Sequence, residues 1–362
     1  WGSIRMKILV YGAGAVGGFL GARLAQDGHD VTLIVRQVVA DAIKSYGLIV
    51  TQDNKRTIAR PHTLTSIPQA FQDNISYDLI ILGMKSYDIK AALDPLVAFC
   101  PDPPTIMTTQ NGIGIERILA DQYGAEQIVA GSFTISISKE TTNQITVENE
   151  GGLGLAPIQS GQNIKSWVKM FQHAGIDTAS LKNHESMKWS KALLNIVGNA
   201  TSAILNRPPK TVYKSEAIFD LEMRMLREAI AVMNRRKIKI VNLPGWSPNQ
   251  LVFSVRRLPK PLLKPVLTNI VSGGRGEKMP SFYIDLNSGK NKSEVGFHNG
   301  AIAQAGQQVR VPTPVNAALA DVLIKITREQ YDWREFDGRP KRLLAEVHQW
   351  EKRFAKQTGK LS

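Results

Sequence analysis

The sequence predicts an α/β protein, a doubly wound parallel sheet followed by a mainly α-helical second half. Three observations predict it. The apolar run Lys7-Ile-Leu-Val-Tyr11 leads into Gly12-Ala-Gly-Ala-Val-Gly17 and then into a helical pattern from Phe19 to Gln26. Strand-like runs then alternate with helical ones, a rhythm that buries strands between helices on both faces of a sheet. From Asn183 onward, glycine and β-branched alternation gives way to long helical periods. The expected domains are therefore residues 6–182 and 183–362.

The glycine-rich turn carries the first chemical information. Its first glycine permits a tight bend, the second lets backbone N–H groups approach a pyrophosphate, and the third lets helix and strand pack closely. The phosphate then sits at a positive helix N-terminus. Gly12, Ala13, Gly14, Ala15, Val16 and Gly17 are thus candidate contacts to a dinucleotide in a Rossmann-type half. The competing reading is a small-residue helix contact. The second strand, Asp30-Val-Thr-Leu-Ile-Val35, ends at Arg36. An NAD site usually has a carboxylate there to bind the ribose hydroxyls, whereas an arginine accommodates a 2′-phosphate. Arg36 favours NADP(H), against the alternative of a solvated arginine at a strand end.

A helical stretch to Tyr46 follows, then Leu48 to Thr51 and Thr57 to Thr65, expected as a strand pair. Tyr77 to Met84 is almost wholly apolar, as befits a parallel strand buried on both faces, and Lys85 ends it. A helix over Ile89 to Phe99, a strand over Thr105 to Thr109 ending at Asn111, and a helix over Ile115 to Tyr123 continue the alternation. Gln127 to Ile137 and stretches around Ile145 and Leu153 are β-rich. Ligands of open α/β sheets bind beyond the carboxyl ends of the strands, which is where Gly12, Arg36, Lys85 and Asn111 all fall.

Composition excludes several classes. At 362 residues and 43% hydrophobic content the chain can bury a sizeable core. A single cysteine, Cys100, excludes an intramolecular disulfide and reads as buried packing in a reducing compartment. The six histidines show no metal-ligand spacing, and no run of about 20 apolar residues could span a bilayer. Residues Trp1 to Arg5 precede a candidate start at Met6 and lack a signal-peptide layout, so cytoplasmic localisation is the default expectation. The net charge of +14 concentrates in Arg224 to Lys278 and Arg334 to Lys360. Clustered cations attract nucleic acid or anionic membrane, but no nucleic-acid-binding motif accompanies them. A solvated basic surface, or mild steering of anionic ligands, is the favoured reading. The proline-rich, basic stretch Pro244 to Pro280 cannot be one regular helix and reads as a connector or as short helices broken by proline.

Three long helical periods mark the second half: Met187 to Leu205, Ile218 to Arg236, and Glu294 to Ala305. The first is apolar around most of its circumference. Lys191, Asn195 and Asn199 break it at i, i+4 and i+8, a spacing that stacks them along one helix face. Burying a lysine and two amides is costly unless they find partners or line a polar cleft. An internal hydrogen-bond network and a ligand-binding face both meet that requirement.

Taken in order, these features resemble the ketopantoate reductase (2-dehydropantoate 2-reductase) family over nearly the whole chain. The resemblance rests on Lys7 to Gly17 with Gly28-His29 and Arg36, Lys85-Ser-Tyr, and Gln110-Asn-Gly-Ile-Gly114. It continues through Trp189-Ser-Lys191 with Asn195 and Asn199, and through Pro280-Ser-Phe-Tyr-Ile-Asp285. Glu294 with Asn299-Gly300, and Val311-Pro-Thr-Pro-Val-Asn316, complete it. It implies that Gly12 to Gly17, Arg36, Lys85 and Asn111 bind NADPH and that Lys191 donates the proton. It further implies that Asn195, Asn199 and Ser281 hold a small 2-oxo acid, and that Glu294 contacts the cofactor side of the site. Chemistry agrees: an ammonium both stabilises and protonates the oxygen on which charge develops, and a nearby carboxylate keeps that ammonium charged.

Three departures bear on the substrate. Pro209 stands where the family often has an asparagine, the loop between Asp285 and Glu294 is one residue longer than usual, and Pro244 to Pro280 is longer than the usual connector. The expected reaction is reduction of ketopantoate to pantoate. A paralogous reductase of another 2-oxo or imino acid is the nearest alternative. An NADP-binding regulatory protein with a basic partner-binding domain is the alternative from another class. The sequence leaves a homodimer open.

Overall fold

A computed structural model describes residues 5–273 and 279–358. Residues 1–4, residues 274–278 of the basic connector and residues 359–362 at the end of the chain lie outside the described residues. The chain divides into two compact units, Trp1–Lys188 with Asn242–Trp246, and Trp189–Val241 with Ser247–Ser362.

Among the described residues, twelve strands build the first unit: β1 (Lys7–Tyr11), β2 (Asp30–Ile34), β3 (Leu48–Gln52), β4 (Lys55–Ala59), β5 (His62–Leu64) and β6 (Leu79–Leu82), then β7 (Thr105–Thr108), β8 (Ile128–Phe133), β9 (Ser136–Thr141), β10 (Gln144–Asn149), β11 (Leu153–Pro157) and β12 (Thr178–Ser180). The helices between them are α1 (Ala15–Gln26), α2 (Gln37–Tyr46), α3 (Ile67–Ala70), α4 (Ile89–Phe99), α5 (Ile115–Tyr123) and α6 (Lys165–His173). Eight strands form one sheet in the order β12-β11-β8-β7-β6-β1-β2-β5, parallel throughout except where β11 pairs antiparallel with β8. Ile8, Leu9 and Val10 of β1 and Leu79, Ile80 and Ile81 of β6 are fully buried, the signature of central strands covered on both faces. Strand order reverses between β1 and β6, which makes the carboxyl ends of these two strands the switch point where such sheets bind ligands.

The stretch Thr57 to Thr65 corrects the expected strand pair. Pro61 cannot donate to a ladder and divides it. The first part becomes β4, antiparallel to β3, and the second becomes β5, parallel to β2 in the main sheet. The β3–β4 hairpin joins β9 and β10 in a separate four-stranded sheet, order β4-β3-β10-β9. That sheet packs on α1, where a Cβ on Gly18 would lie 2.7 Å from Cδ1 of Ile145 on β10 and would have to displace the end of that side chain. Cys100 is buried, as expected.

The second unit is helical. It takes over α7 (His184–Ile196) partway along, then comprises α8 (Ala200–Leu205), α9 (Pro209–Val212), α10 (Glu216–Arg235), α11 (Pro248–Arg257), α12 (Lys260–Gly273), α13 (Ser281–Asn287), α14 (Asn299–Gln308), α15 (Pro314–Thr327) and α16 (Pro340–Thr358). α10 is its spine, with Ile218, Phe219, Leu221, Met225, Leu226 and Val232 essentially buried. Two long helical periods of the sequence are each interrupted. Met187 to Leu205 is broken after Ile196 by a turn in which Gly198 adopts φ +63°, open to glycine without strain. Glu294 to Ala305 becomes a 3₁₀ turn, Glu294–Phe297, then α14, with His298 at φ −113°, ψ −94° between them. Prolines segment the connector into α11, opened by Pro248, and α12, which begins just after Pro259. Among the described residues no helix is long and apolar enough to cross a membrane.

Candidate functional site

The glycine-rich turn is built by close backbone approach. Gly12 adopts φ +91°, and a Cβ there would meet the Met84 backbone nitrogen at 2.9 Å. A Cβ on Gly17, or on Gly83 at the end of β6, would fall 2.2 Å from the Gly12 carbonyl oxygen. Gly12, Gly17 and Gly83 therefore interlock, and no side chain fits between the β1–α1 turn and β6. Gly12 N–H donates to the Ile34 carbonyl (3.2 Å), and Gly83 N–H to that of Tyr11 (2.8 Å). Gly14 is exposed at the N-cap of α1 with no side chain capping the helix, so the first-turn N–H groups face an open approach. Ala13, Ala15 and Val16 are half-buried beside it. The turn is a cradle fit for a pyrophosphate.

The other strand-end residues are set around it. Arg36 is exposed at the N-cap of α2, directly beyond β2. Lys85 follows β6, half-buried, and opens a 3₁₀ turn over Ser86–Asp88. Asn111 follows β7, its side chain exposed, and its carbonyl accepts from the Ser86 hydroxyl at 2.7 Å. That bond ties the Lys85 and Asn111 loops together. The buried Gln110 amide tightens the same corner by donating to the carbonyls of Leu82 (2.7 Å) and Met84 (3.0 Å).

Two residues of this unit were not legible as site residues. The first is Lys188. Its ammonium is 4% exposed and lies 2.8 Å from the Glu116 carboxylate and 2.8 Å from the Gln110 carbonyl. Thr108 donates to the same Glu116 oxygen at 2.7 Å. Burial pushes the Glu116 carboxyl up, but the Lys188 charge and the bonds from Lys188 and Thr108 outweigh it and hold the carboxyl below its usual range. Lys188 thus pins the loop that presents Asn111. The second is Lys139 on β9, whose ammonium donates to the Ala13 carbonyl at 3.3 Å. Burial, and after it the charge of Arg36, lower its pKa.

In the second unit, Lys191 lies on α7 with only 8% of its surface exposed. Asn195, one turn on, is half-buried, and among the described residues its amide makes no hydrogen bond. Asn199 is not on the same helix. The Gly198 turn carries it to the N-cap of α8, so the expected single stripe is two residues on α7 and one beyond the break. Its amide is fully engaged: Nδ2 donates to the Asn195 carbonyl (3.1 Å) and the Ser281 hydroxyl (3.2 Å), while Oδ1 accepts from Phe282 N–H (3.1 Å). Asn199 therefore fastens the first turn of α13, with Ser281, to the end of α7. Glu294 is 3% exposed at the start of its 3₁₀ turn, where the Ser293 side chain accepts from Val295 N–H at 3.3 Å.

A buried carboxylate stabilises the break itself. Glu222 of α10 accepts from Gly198 N–H (2.8 Å), the Thr201 hydroxyl (2.7 Å) and the Tyr213 hydroxyl (3.2 Å). Burial nevertheless pushes its pKa up to about 7. Asn299 and Asn316, prominent in the sequence, serve packing. They bond each other at 3.1 Å, and Glu228 caps α15 by accepting from the N–H groups of Val315 (2.9 Å) and Asn316 (3.0 Å).

A glycine cradle at the switch point of a parallel sheet, with a helical second unit holding a buried lysine, defines a dinucleotide-binding oxidoreductase of two-unit design. The chain belongs to the ketopantoate reductase family, oxidoreductases acting on a CH–OH group: residues 8–160 match the model described as "Ketopantoate reductase PanE/ApbA" and residues 183–327 match its C-terminal companion. It is 28% identical over 318 residues to the 2-dehydropantoate 2-reductase of Pyrococcus horikoshii, covering 87% of this chain and 95% of that one. With the Halobacterium salinarum protein of the same name it shares 24% identity over 88% of this chain and 98% of that one. Among solved structures, a PanE/ApbA family ketopantoate reductase from Ralstonia eutropha aligns with TM-score 0.75 at 24% identity, covering 90% of this chain and 99% of that one. A D-mandelate dehydrogenase solved with NADH and anilino(oxo)acetate aligns equally well, TM-score 0.75 at 23% identity with the same coverage.

Proposed function

We propose that this protein reduces a small branched 2-oxo acid to the 2-hydroxy acid with NADPH, ketopantoate to pantoate being the first candidate. The observation that carries the reading is Lys191, a lysine almost wholly withdrawn from water on α7 of a family whose reaction delivers a proton to a carbonyl oxygen. A reduced nicotinamide supplies the hydride. The chain supplies the remainder. The first-turn N–H groups of α1, exposed through Gly14, hold the pyrophosphate, and Arg36 takes the 2′-phosphate. Lys85 and Asn111, joined through Ser86, line the nicotinamide end. Lys191 places its ammonium on the substrate oxygen, stabilising charge as it develops there and then giving up a proton. The Asn195 amide, with donors to spare, and the Ser281 hydroxyl orient the acid. Asn199 acts through Ser281, holding it in place. Glu294 carries the carboxylate that favours the charged lysine.

A second reading, reduction of a different 2-oxo acid, has one specific support. Pro209 opens α9 at a position where the family often presents an asparagine, and a proline side chain donates no hydrogen bond to a substrate. The D-mandelate dehydrogenase similarity is consistent with a pocket of this fold being reshaped for another acid. The test is oxidation of NADPH and of NADH, side by side, with ketopantoate and a panel of branched and aromatic 2-oxo acids. Faster turnover of ketopantoate with NADPH supports the first reading, and activity confined to another acid replaces it with the second.

A further inference from the structure

We propose that Lys139 is a second cation for the 2′-phosphate of NADP(H), acting with Arg36 to select the phosphorylated dinucleotide. The inference rests on the NADPH reading above and extends it to a residue on a different sheet. Lys139 lies on β9 of the four-stranded sheet that packs on α1. Strand alternation puts it on the same face as Ile137, which packs against the core beneath α1. Its side chain is held against the glycine-rich turn, one ammonium hydrogen donating to the Ala13 carbonyl at 3.3 Å. Two hydrogens remain for another acceptor.

The electrostatics call for an anion. Burial disfavours the charged lysine, and Arg36 is near enough to disfavour it further. Among the described residues neither Lys139 nor Arg36 forms an ion pair with a carboxylate. The half-buried Lys139 and the exposed Arg36, without a counter-charge, repel one another unless an anion is bound between them. Ala13 belongs to the turn that takes the pyrophosphate, and Arg36 marks the position of the adenosine ribose. A lysine anchored on the first and repelled by the second sits over the stretch of ligand that joins them. A phosphomonoester on the ribose fits that position.

The test is binding rather than turnover: dissociation constants of NADPH, NADH, 2′,5′-ADP and 5′-AMP for the wild type, Lys139→Met, Lys139→Arg and Arg36→Ala. Lys139→Met is expected to weaken NADPH and 2′,5′-ADP about 10- to 100-fold, the loss of a hydrogen bond to a charged group. NADH and 5′-AMP should keep their wild-type affinities, which also shows that the variant is folded. Lys139→Arg should restore most of the loss. Equal weakening of NADPH and NADH, or no weakening of either, overturns the proposal while leaving the NADPH reading in place if Arg36→Ala still loses NADPH selectively. A wild type that binds NADH as tightly as NADPH overturns both.

Discussion

Glu222 offers a quantitative test of how the second unit holds its site. Fully buried on α10, it accepts three hydrogen bonds, one of them from Gly198 in the turn that sets Asn199 and, through it, Ser281. Burial raises its pKa from 4.5 to about 7 despite those bonds. A carboxyl whose folded pKa is raised contributes stability below its unfolded pKa and loses it as pH rises through the folded one. The loss therefore falls between pH 4.5 and about 7. At about 1.4 kcal/mol per pH unit it amounts to roughly 3 kcal/mol. Glu222→Gln removes the ionisation and keeps an oxygen for Gly198 and Tyr213, so its denaturation midpoint should not show this decline between pH 5 and pH 8. Glu228, raised by burial to about 7 as well, leaves a second decline of similar size in the variant. Glu222→Ala strands three buried donors and opens a cavity, costing at least about 3 kcal/mol at pH 5 and less at pH 8, where the wild type has already lost stability to Glu222 ionisation. Urea denaturation of the three proteins at the two pH values is the assay. A Glu222→Gln variant with the full wild-type pH dependence would refute the reasoning.

Other perturbations reach the first unit. Gly83→Ala puts a Cβ 2.2 Å from the Gly12 carbonyl oxygen, and the forced shift should cost about 1–3 kcal/mol and weaken NADPH binding, read by thermal unfolding and ligand titration. Wild-type affinity in that variant would disprove the interlocked turn. Lys188→Met leaves Glu116 buried without its counter-charge, a loss of about 3–5 kcal/mol, and adding Glu116→Gln should recover most of it. The Glu116 carboxyl is held low, so in the wild type this contribution is full above pH 4.5 and is lost as pH falls through the folded pKa. Acid unfolding of the Lys188→Met, Glu116→Gln pair should begin at lower pH than that of the wild type, and an unchanged acid midpoint would exclude the pair from acid stability.

The first half was legible because its signals are local. The β1–α1 turn, the end of β2 at Arg36 and the extent of α5 each depend on a few adjacent residues, and the structure has them where the sequence implies. Gly83 was not legible, because its role is an approach to Gly12 across the sheet. Nor were Lys139 and Lys188, which read in sequence as one charge on an edge strand and one within an apolar helix. The break at Gly198 was hidden by the apolar residues on either side, which satisfy a continuous helical period. The adjacent pair Gly198-Asn199 was the available signal, since glycine disfavours helix interiors and asparagine favours caps. Thr57 to Thr65 misled in a similar way, Pro61 being the residue that divides it between two sheets.

The central claim is that Lys191 gives the proton in an NADPH-dependent reduction. The most direct measurement compares kcat with ketopantoate, or with the best 2-oxo acid found, for wild type and Lys191→Ala, alongside the Kd for NADPH. The account predicts a fall in kcat of about 10²- to 10⁴-fold with cofactor affinity unchanged. Turnover near the wild-type rate in Lys191→Ala would contradict it.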